Sequence, residues 1–317
     1  MNSRTARQSL GINAALASAL FLGLTPVFGT LAIRWGMPPL EVVAFRTALA
    51  AFMVFILILI YNRKFLFIYP AGLFGCLLAG GINGFGSLLY YAALGRIDAS
   101  LGQIIYSLYP LLVALWLWLD SQPPSRLTII RLLLVLPALY FLVGRQAIDL
   151  IGVLMMVGAA ALYALHLPIN ERVLYDMPAP TVTLYTLLAM TVIVVPGWLL
   201  SSIGIGFFHP SGEAWGAALG LTLVTFLSRL TLFMGVKHLG GLQTAILGLG
   251  ELLITVFFSH VILGEQLSTL QWLGACLLIV SLALVWLEKP VTTAKSRKPG
   301  GWLSWLRPPG LPSDIPW

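Results

Sequence analysis

GLQTAILGLGELLITVFFSHVIL, residues 241–263, decides the architecture of this chain. The run is apolar without a period of two, which favours a helix over a strand. Its one formally charged side chain, Glu251, follows Gly241 by ten residues. At about 1.5 Å per residue, that carboxylate lies roughly 15 Å from the start of the segment. It cannot easily snorkel to either surface of a bilayer. A carboxylate at mid-depth in lipid is costly and therefore marks a functional position by default.

Nine similar stretches accompany it, near 12–33, 40–61, 70–93, 98–119, 126–143, 150–170, 180–201, 214–235 and 268–287. The fifth is short and contains Pro137. A bilayer core of about 30 Å needs about 20 helical residues to cross it. Composition agrees: 59% of residues are hydrophobic, 9% are charged, and mean hydropathy is +0.95. Soluble domains carry about 25% charged residues. The expected fold is therefore an all-α integral membrane protein of ten transmembrane helices. The first segment is long, and no small-residue cleavage site precedes a polar domain, so it reads as a retained helix rather than a signal peptide.

Charge sets the expected orientation. With a cytoplasmic amino terminus, twelve Lys and Arg fall on the cytoplasmic side and three on the outer side: Arg34, Arg96 and Arg145. Arg46, Arg131 and Arg229 lie within helices. That asymmetry follows the positive-inside rule with both termini cytoplasmic. The net charge of +7 is thus spent at helix ends and is no signal for nucleic acid. Loops are short, the longest near Ser202–Glu213, which leaves no room for a soluble catalytic domain. Cys76 and Cys276 lack metal-ligand spacing and no nucleotide-binding loop is visible, so neither a cofactor nor an enzyme is expected. The dispersed acidic residues and the histidines His209, His238 and His260 argue likewise against a lipid-modifying enzyme. The tail from 289, rich in Lys, Pro and Trp, suits a lipid surface or a solvated end.

The segments fall into two halves, 12–143 and 151–288, between tails 1–11 and 289–317. A shift of 142 residues lays Pro26 over Pro168, Pro38 over Pro180, and Tyr109-Pro110 over Glu251-Leu252. Five helices per half make the second enter from the opposite side. That is the inverted-repeat plan, with a binding site at mid-membrane between the halves.

Polar stripes mark where such a site would lie, since residues three or four apart share a helix face. The ninth segment carries Thr244, Gly248, Glu251, Thr255 and Ser259, and the eighth Thr222, Thr225, Ser228 and Arg229. The third carries Gly75, Ala79, Asn83, Gly86 and Tyr90, and the fourth Gln103 and Ser107 beside Tyr106 and Tyr109. Tight packing explains the small residues equally well. Asn83, Gln103 and Glu251 fit a cavity better, because lipid offers their polar groups no partner. Glu251 admits three roles: cargo contact, proton switch, or ion pair with Arg229. Tyr106 and Tyr109 could stack on cargo. Arg46 could pair with Glu41 or face the cavity, Arg131 is within snorkelling reach of an interface, and His166 reads as interfacial.

The ordered motifs Ala44-Phe45-Arg46, Tyr91-Ala92-Ala93-Leu94, Asp98-Ala99-Ser100, Ser107-Leu108-Tyr109-Pro110 and Gly264-Glu265 resemble the EamA-type members of the drug/metabolite transporter superfamily. The likeness covers about 12–143 and 151–288. Two places depart from it. Glu251-Leu252 stands where the family often has Glu-Pro, and Asp120-Ser121-Gln122-Pro123 where a Gly-Glu turn is expected. Glu265 reads as a turn residue. The resemblance implies a secondary transporter working by alternating access in a bacterial inner membrane, exporting amino acids or related metabolites, as a monomer or homodimer. Its expected cargo and proton contacts are Asn83, Gln103, Tyr106, Tyr109, Arg229, Thr244 and Glu251. A flippase or drug exporter is the alternative on the same fold. Arg229 is the one firm cation in the expected cavity, with Arg46 undecided, which argues against phosphate-bearing cargo.

Overall fold

The computed structural model describes residues 3–120, 124–143, 149–202, 210–264 and 269–284, and these are helical apart from short connections. The elements are α1 (Ser3–Arg34), α2 (Pro39–Tyr61), α3 (Pro70–Leu94), α4 (Ala99–Tyr106), α5 (Tyr109–Leu119), α6 (Arg126–Val143), α7 (Leu150–Asp176), α8 (Ala179–Ser201), α9 (Gly212–Leu239), α10 (Gly241–Gly248), α11 (Gly250–Phe258) and α12 (Thr269–Ala283). Among the described residues, eight runs are long and apolar enough to cross a membrane: Ser9–Arg34, Pro39–Tyr61, Pro70–Leu94, Ala99–Leu119, Leu150–Leu174, Ala179–Ser201, Gly212–Leu239 and Gly241–Ile262. The chain is a multi-pass membrane protein. The fifth and tenth expected segments correspond to α6, with 18 residues, and α12, with 15 described residues. These two pack against each other and lie outside that set of eight. The turn residue Glu265 and the tail 289–317 lie outside the described residues.

Two expected single helices are broken in the middle. Pro110 breaks the first, α4–α5: it has no N–H, and its ring would strike the carbonyl four residues back. The ladder tightens there, with Leu108 N donating to Ile105 O at 3.2 Å and Leu111 N to Leu108 O at 3.1 Å. The second, α10–α11, breaks at Leu249, between Gly248 and Gly250. Its ladder tightens in the same way: Leu249 N donates to Ile246 O at 3.2 Å and Leu252 N to Leu249 O at 3.1 Å. Such three-residue bonds mark a local 3₁₀ turn. α11 then runs into a π-helical turn, Ser259–Leu263, which ends at Gly264 with φ +74°.

Helices from opposite halves interleave. α1 lies along α9 and α11, α3 along α7 and α8, and α2 along α8. Glycines permit the closest approaches. A Cβ on Gly80 would stand 2.5 Å from both Ala189 Cβ and Thr186 O, and one on Gly23 2.6 Å from Glu251 O. Thr255 Oγ1 donates to Gly23 O at 2.7 Å, which ties α11 to α1.

Polar contacts hold the two ends of the bundle. At one end Arg172 pairs with the buried Asp120, Glu171 accepts from Gly241 N at 2.8 Å, and Lys237 donates to Met177 O at 2.9 Å. At the other, Asp149 caps α7 by accepting from Ile151 N and Gly152 N at 2.9 and 3.1 Å, and pairs with Arg96 at 3.2 Å. The Gly152 N–H and the Arg96 guanidinium hold the Asp149 carboxyl below the usual carboxylate range. Large apolar side chains such as Phe52, Phe74, Phe85 and Val192 are exposed on the outside. That pattern suits lipid as the solvent.

Candidate functional site

The two broken helices meet between the halves, and a cavity of about 40 Å³ opens beside the breaks. A water needs about 10–15 Å³ on this measure, so the space holds roughly three waters. α4 contributes Gln103 and Tyr106, and α11 contributes Glu251. α3 supplies Asn83, Gly86, Ser87 and Tyr90 from one face, and α9 supplies Arg229. Leu22 and Thr25 of α1, Arg46 of α2 and Tyr163 of α7 complete the wall.

Five of the expected residues thus come together: Asn83, Gln103, Tyr106, Arg229 and Glu251. The other two are elsewhere. Tyr109 is 1% exposed and turned into the packing, where its hydroxyl donates to Ala245 O at 3.0 Å. Its oxygen fills the space over Gly248, where a Cβ would collide with it. Thr244 is buried against Gly235. Both lie on faces that the break in their helix rotates away from the cavity.

The charged groups are held mainly by neutral partners. The Asn83 amide, turned with its oxygen toward Arg229, accepts from both terminal guanidinium nitrogens at 3.0 and 3.2 Å. The Arg229 guanidinium also stands 5.9 Å from the centre of the Tyr163 ring. Arg46 donates to Thr225 Oγ1 at 3.3 Å and Ser87 Oγ at 3.5 Å, and lies 4.7 Å over the Tyr91 ring. Gln103 accepts from the Tyr90 hydroxyl at 3.2 Å and its side chain hydrogen-bonds Glu251. Among the described residues Glu251 Oε1, Arg46 Nε, Arg229 Nε and the Tyr163 hydroxyl have no partner. No ion pair within 4.0 Å joins Glu251 to Arg229 among those residues, so the ion pair, one of the three roles open to Glu251, is not formed. Unpaired buried polar atoms are expensive, and here they gather where a polar cargo would meet them.

Aromatic rings floor the cavity. Tyr106 packs edge-on to Tyr90 at 5.0 Å and lies 5.2 Å from Tyr163, which stands 4.9 Å from Tyr109. The threonine stripe of α9 is largely self-satisfied: Thr222 and Thr225 donate to carbonyls four residues back, at 2.9 and 2.7 Å.

Three placements follow from the structure. Arg46 faces the cavity, one of its two open placements, so the site has two guanidiniums and the argument against phosphate-bearing cargo weakens. Arg229, 4% exposed, lines the cavity. His166, read as interfacial, is fully buried in the protein behind Tyr163, whose carbonyl meets its Nδ1. α7 runs six residues beyond the expected end at 170, so His166 lies deeper than counting from that end implies. Ser87, Thr25 and Tyr163 join the wall without a sequence expectation behind them. Ser87 was accessible from its spacing, four residues after Asn83, whereas Tyr163 stands on a helix with no polar stripe.

Known proteins agree with this architecture. The model of the EamA-like transporter family matches twice, over 9–144 and 150–287. "Uncharacterized transporter sll1319" of Synechocystis sp. is 25% identical over 231 residues, covering 67% of this chain and 66% of that protein. The chain therefore spans about two thirds of that relative's length. A solved structure titled only as the crystal structure of a protein superposes with a TM-score of 0.71 at 17% identity, covering 90% of this chain and 98% of the other. It supports the fold alone. Two matches that together span nearly the whole chain, meeting at a polar cavity between them, place this chain in the EamA-like transporter family.

Proposed function

We propose that the chain is a ten-helix secondary transporter of two inverted five-helix repeats, 12–143 and 151–288. It moves amino acids or related small metabolites across a bacterial inner membrane by alternating access. Both termini are cytoplasmic in this reading. The observation that carries it is the buried cavity itself, where Arg229 and Glu251 come from one half and Asn83, Gln103 and Tyr106 from the other. A cargo carboxylate would take the place of the Asn83 oxygen on Arg229. Charge-assisted bonds of that kind are stronger than the neutral ones they replace. A cargo amine would meet the open Oε1 of Glu251, with Tyr106 and Tyr163 covering its stem. A cavity of roughly three waters has no room for a leucine-sized cargo, so loading such a cargo requires the halves to part.

Counterflow in proteoliposomes tests this reading. Liposomes preloaded with an amino-acid panel should accumulate labelled members of one class faster than empty liposomes do. Glu251→Gln keeps the shape and removes the charge. One charge-assisted bond contributes about 1.5–3 kcal/mol, so uptake of the preferred cargo should fall roughly tenfold or more. If Glu251 carries the proton, an imposed pH gradient should drive accumulation by the natural chain and not by the variant. Equal uptake with and without protein, across amino acids, other metabolites and lipids, would defeat transport as the function.

A further inference from the structure

The charge of the cavity narrows its cargo, an inference that rests on the transporter reading above. Two guanidiniums and one carboxyl group line one small space, a formal charge of +1 with Glu251 ionised and +2 with it protonated, so positive charge is in excess in either form. Arg46 and Arg229 lie near enough to repel each other. Neither makes an ion pair within 4.0 Å among the described residues; their partners are hydroxyls, an amide and aromatic faces. Arg46 is 5% exposed and Arg229 4%. Each also has an Nε without a partner. Burying a charge uncompensated is among the costliest acts in protein structure. Tyr90, Tyr106 and Tyr163 are phenols and add no charge at neutral pH. His166 stands behind Tyr163 and is no part of the wall.

A zwitterion brings no net charge and would leave that excess untouched. An acid with one net negative charge offsets one unit of it, to neutrality when Glu251 is ionised. We infer that the cavity selects small organic acids carrying one net negative charge, such as acidic or N-acylated amino acids, and that Arg46 is the second anion anchor beside Arg229. The rings around Tyr106 then hold the apolar part of the acid. Arg46 also fixes the geometry of its own end of the site: it bridges α3 through Ser87 and α9 through Thr225. An anion bound there would draw elements of both halves together.

A charge ladder on related compounds tests this. Leucinamide, leucine and N-acetyl-leucine carry positive, zero and negative net charge at pH 7, and glutamine against glutamate repeats the last step. Binding to the purified full chain in detergent is read by ligand-induced thermal shift, independently of transport. The acids should bind roughly tenfold or more tightly than the neutral partners, the size of one charge-assisted bond. Arg46→Gln should bring acid and neutral compound to within about threefold, and Arg46→Lys should keep much of the preference. The lysine variant also shows whether loss in the glutamine variant is misfolding. Tighter binding of leucine and glutamine than of the acids would overturn the inference. So would a ladder unchanged in Arg46→Gln, or inorganic phosphate matching the organic acids. Failure of every ladder compound to bind would overturn it as well, while counterflow of some other cargo class would still sustain the transporter reading.

Discussion

The two broken helices reach the same shape by different chemistry. In α4–α5 the break is imposed by Pro110, which cannot continue the ladder. In α10–α11 the equivalent position is Leu252, and the break sits between Gly248 and Gly250, where the helix is merely weak. The 142-residue shift carries Ser107, which closes α4, onto Leu249, which closes α10. One half therefore has a fixed bend and the other a permitted one, and Glu251 is on the permitted one. The two are keyed together: the Tyr109 hydroxyl of the proline-broken helix sits over Gly248 and bonds Ala245 O.

One substitution breaks that key. Gly248→Ala drives a methyl into the Tyr109 oxygen and should cost about 1–3 kcal/mol, as overpacking does. Thermal unfolding in detergent would show it. Adding Tyr109→Phe should restore part of the loss by vacating the space, although it gives up the bond to Ala245. If the two changes are simply additive, the key is not real. A pair of proline substitutions tests the weak break. Leu252→Pro lies in the first turn of α11, forfeits one bond to Leu249 O, and should cost only about 1 kcal/mol. Val256→Pro, inside the same helix, should cost about 3 kcal/mol or more. Equal costs would show that α10–α11 behaves as one unbroken helix. Removing the fixed bend with Pro110→Ala should change melting least, by less than about 1 kcal/mol. It should slow counterflow severalfold as the helix straightens at Tyr106. Unchanged transport would mean that the bend positions nothing.

Much of this was legible in the sequence, because lipid makes strong demands. Apolar length gave most of the spans, and the helical spacing of Asn83, Gln103, Arg229 and Glu251 brought those side chains to one place. The 142-residue shift placed Tyr109-Pro110 over Glu251-Leu252, two residues from where both helices break. What it could not give was rotation about a helix axis. Tyr109 and Thr244 share stripes with cavity residues, yet the tightened turns at Leu108 and Leu249 swing them into packing faces. Arg46 could pair with Glu41 or face the cavity, and only the approach of α3 and α9 decides for Ser87 and Thr225. Tyr163 depends wholly on how α7 crosses α3, a tertiary fact with no local signature.

Glu171 and Arg172 are neighbours on α7, and each addresses a different broken helix: Glu171 holds the start of α10, and Arg172 pairs with Asp120 at the end of α5. Successive residues on a helix point about 100° apart, so this division of labour is written in the count of residues rather than in their identity. A single inserted or deleted residue between Tyr163 and Glu171 would turn both side chains off their targets at once. Substituting Glu171 or Arg172 disturbs one contact each. An insertion scan of α7 should therefore lose both contacts together wherever the length between Tyr163 and Glu171 changes.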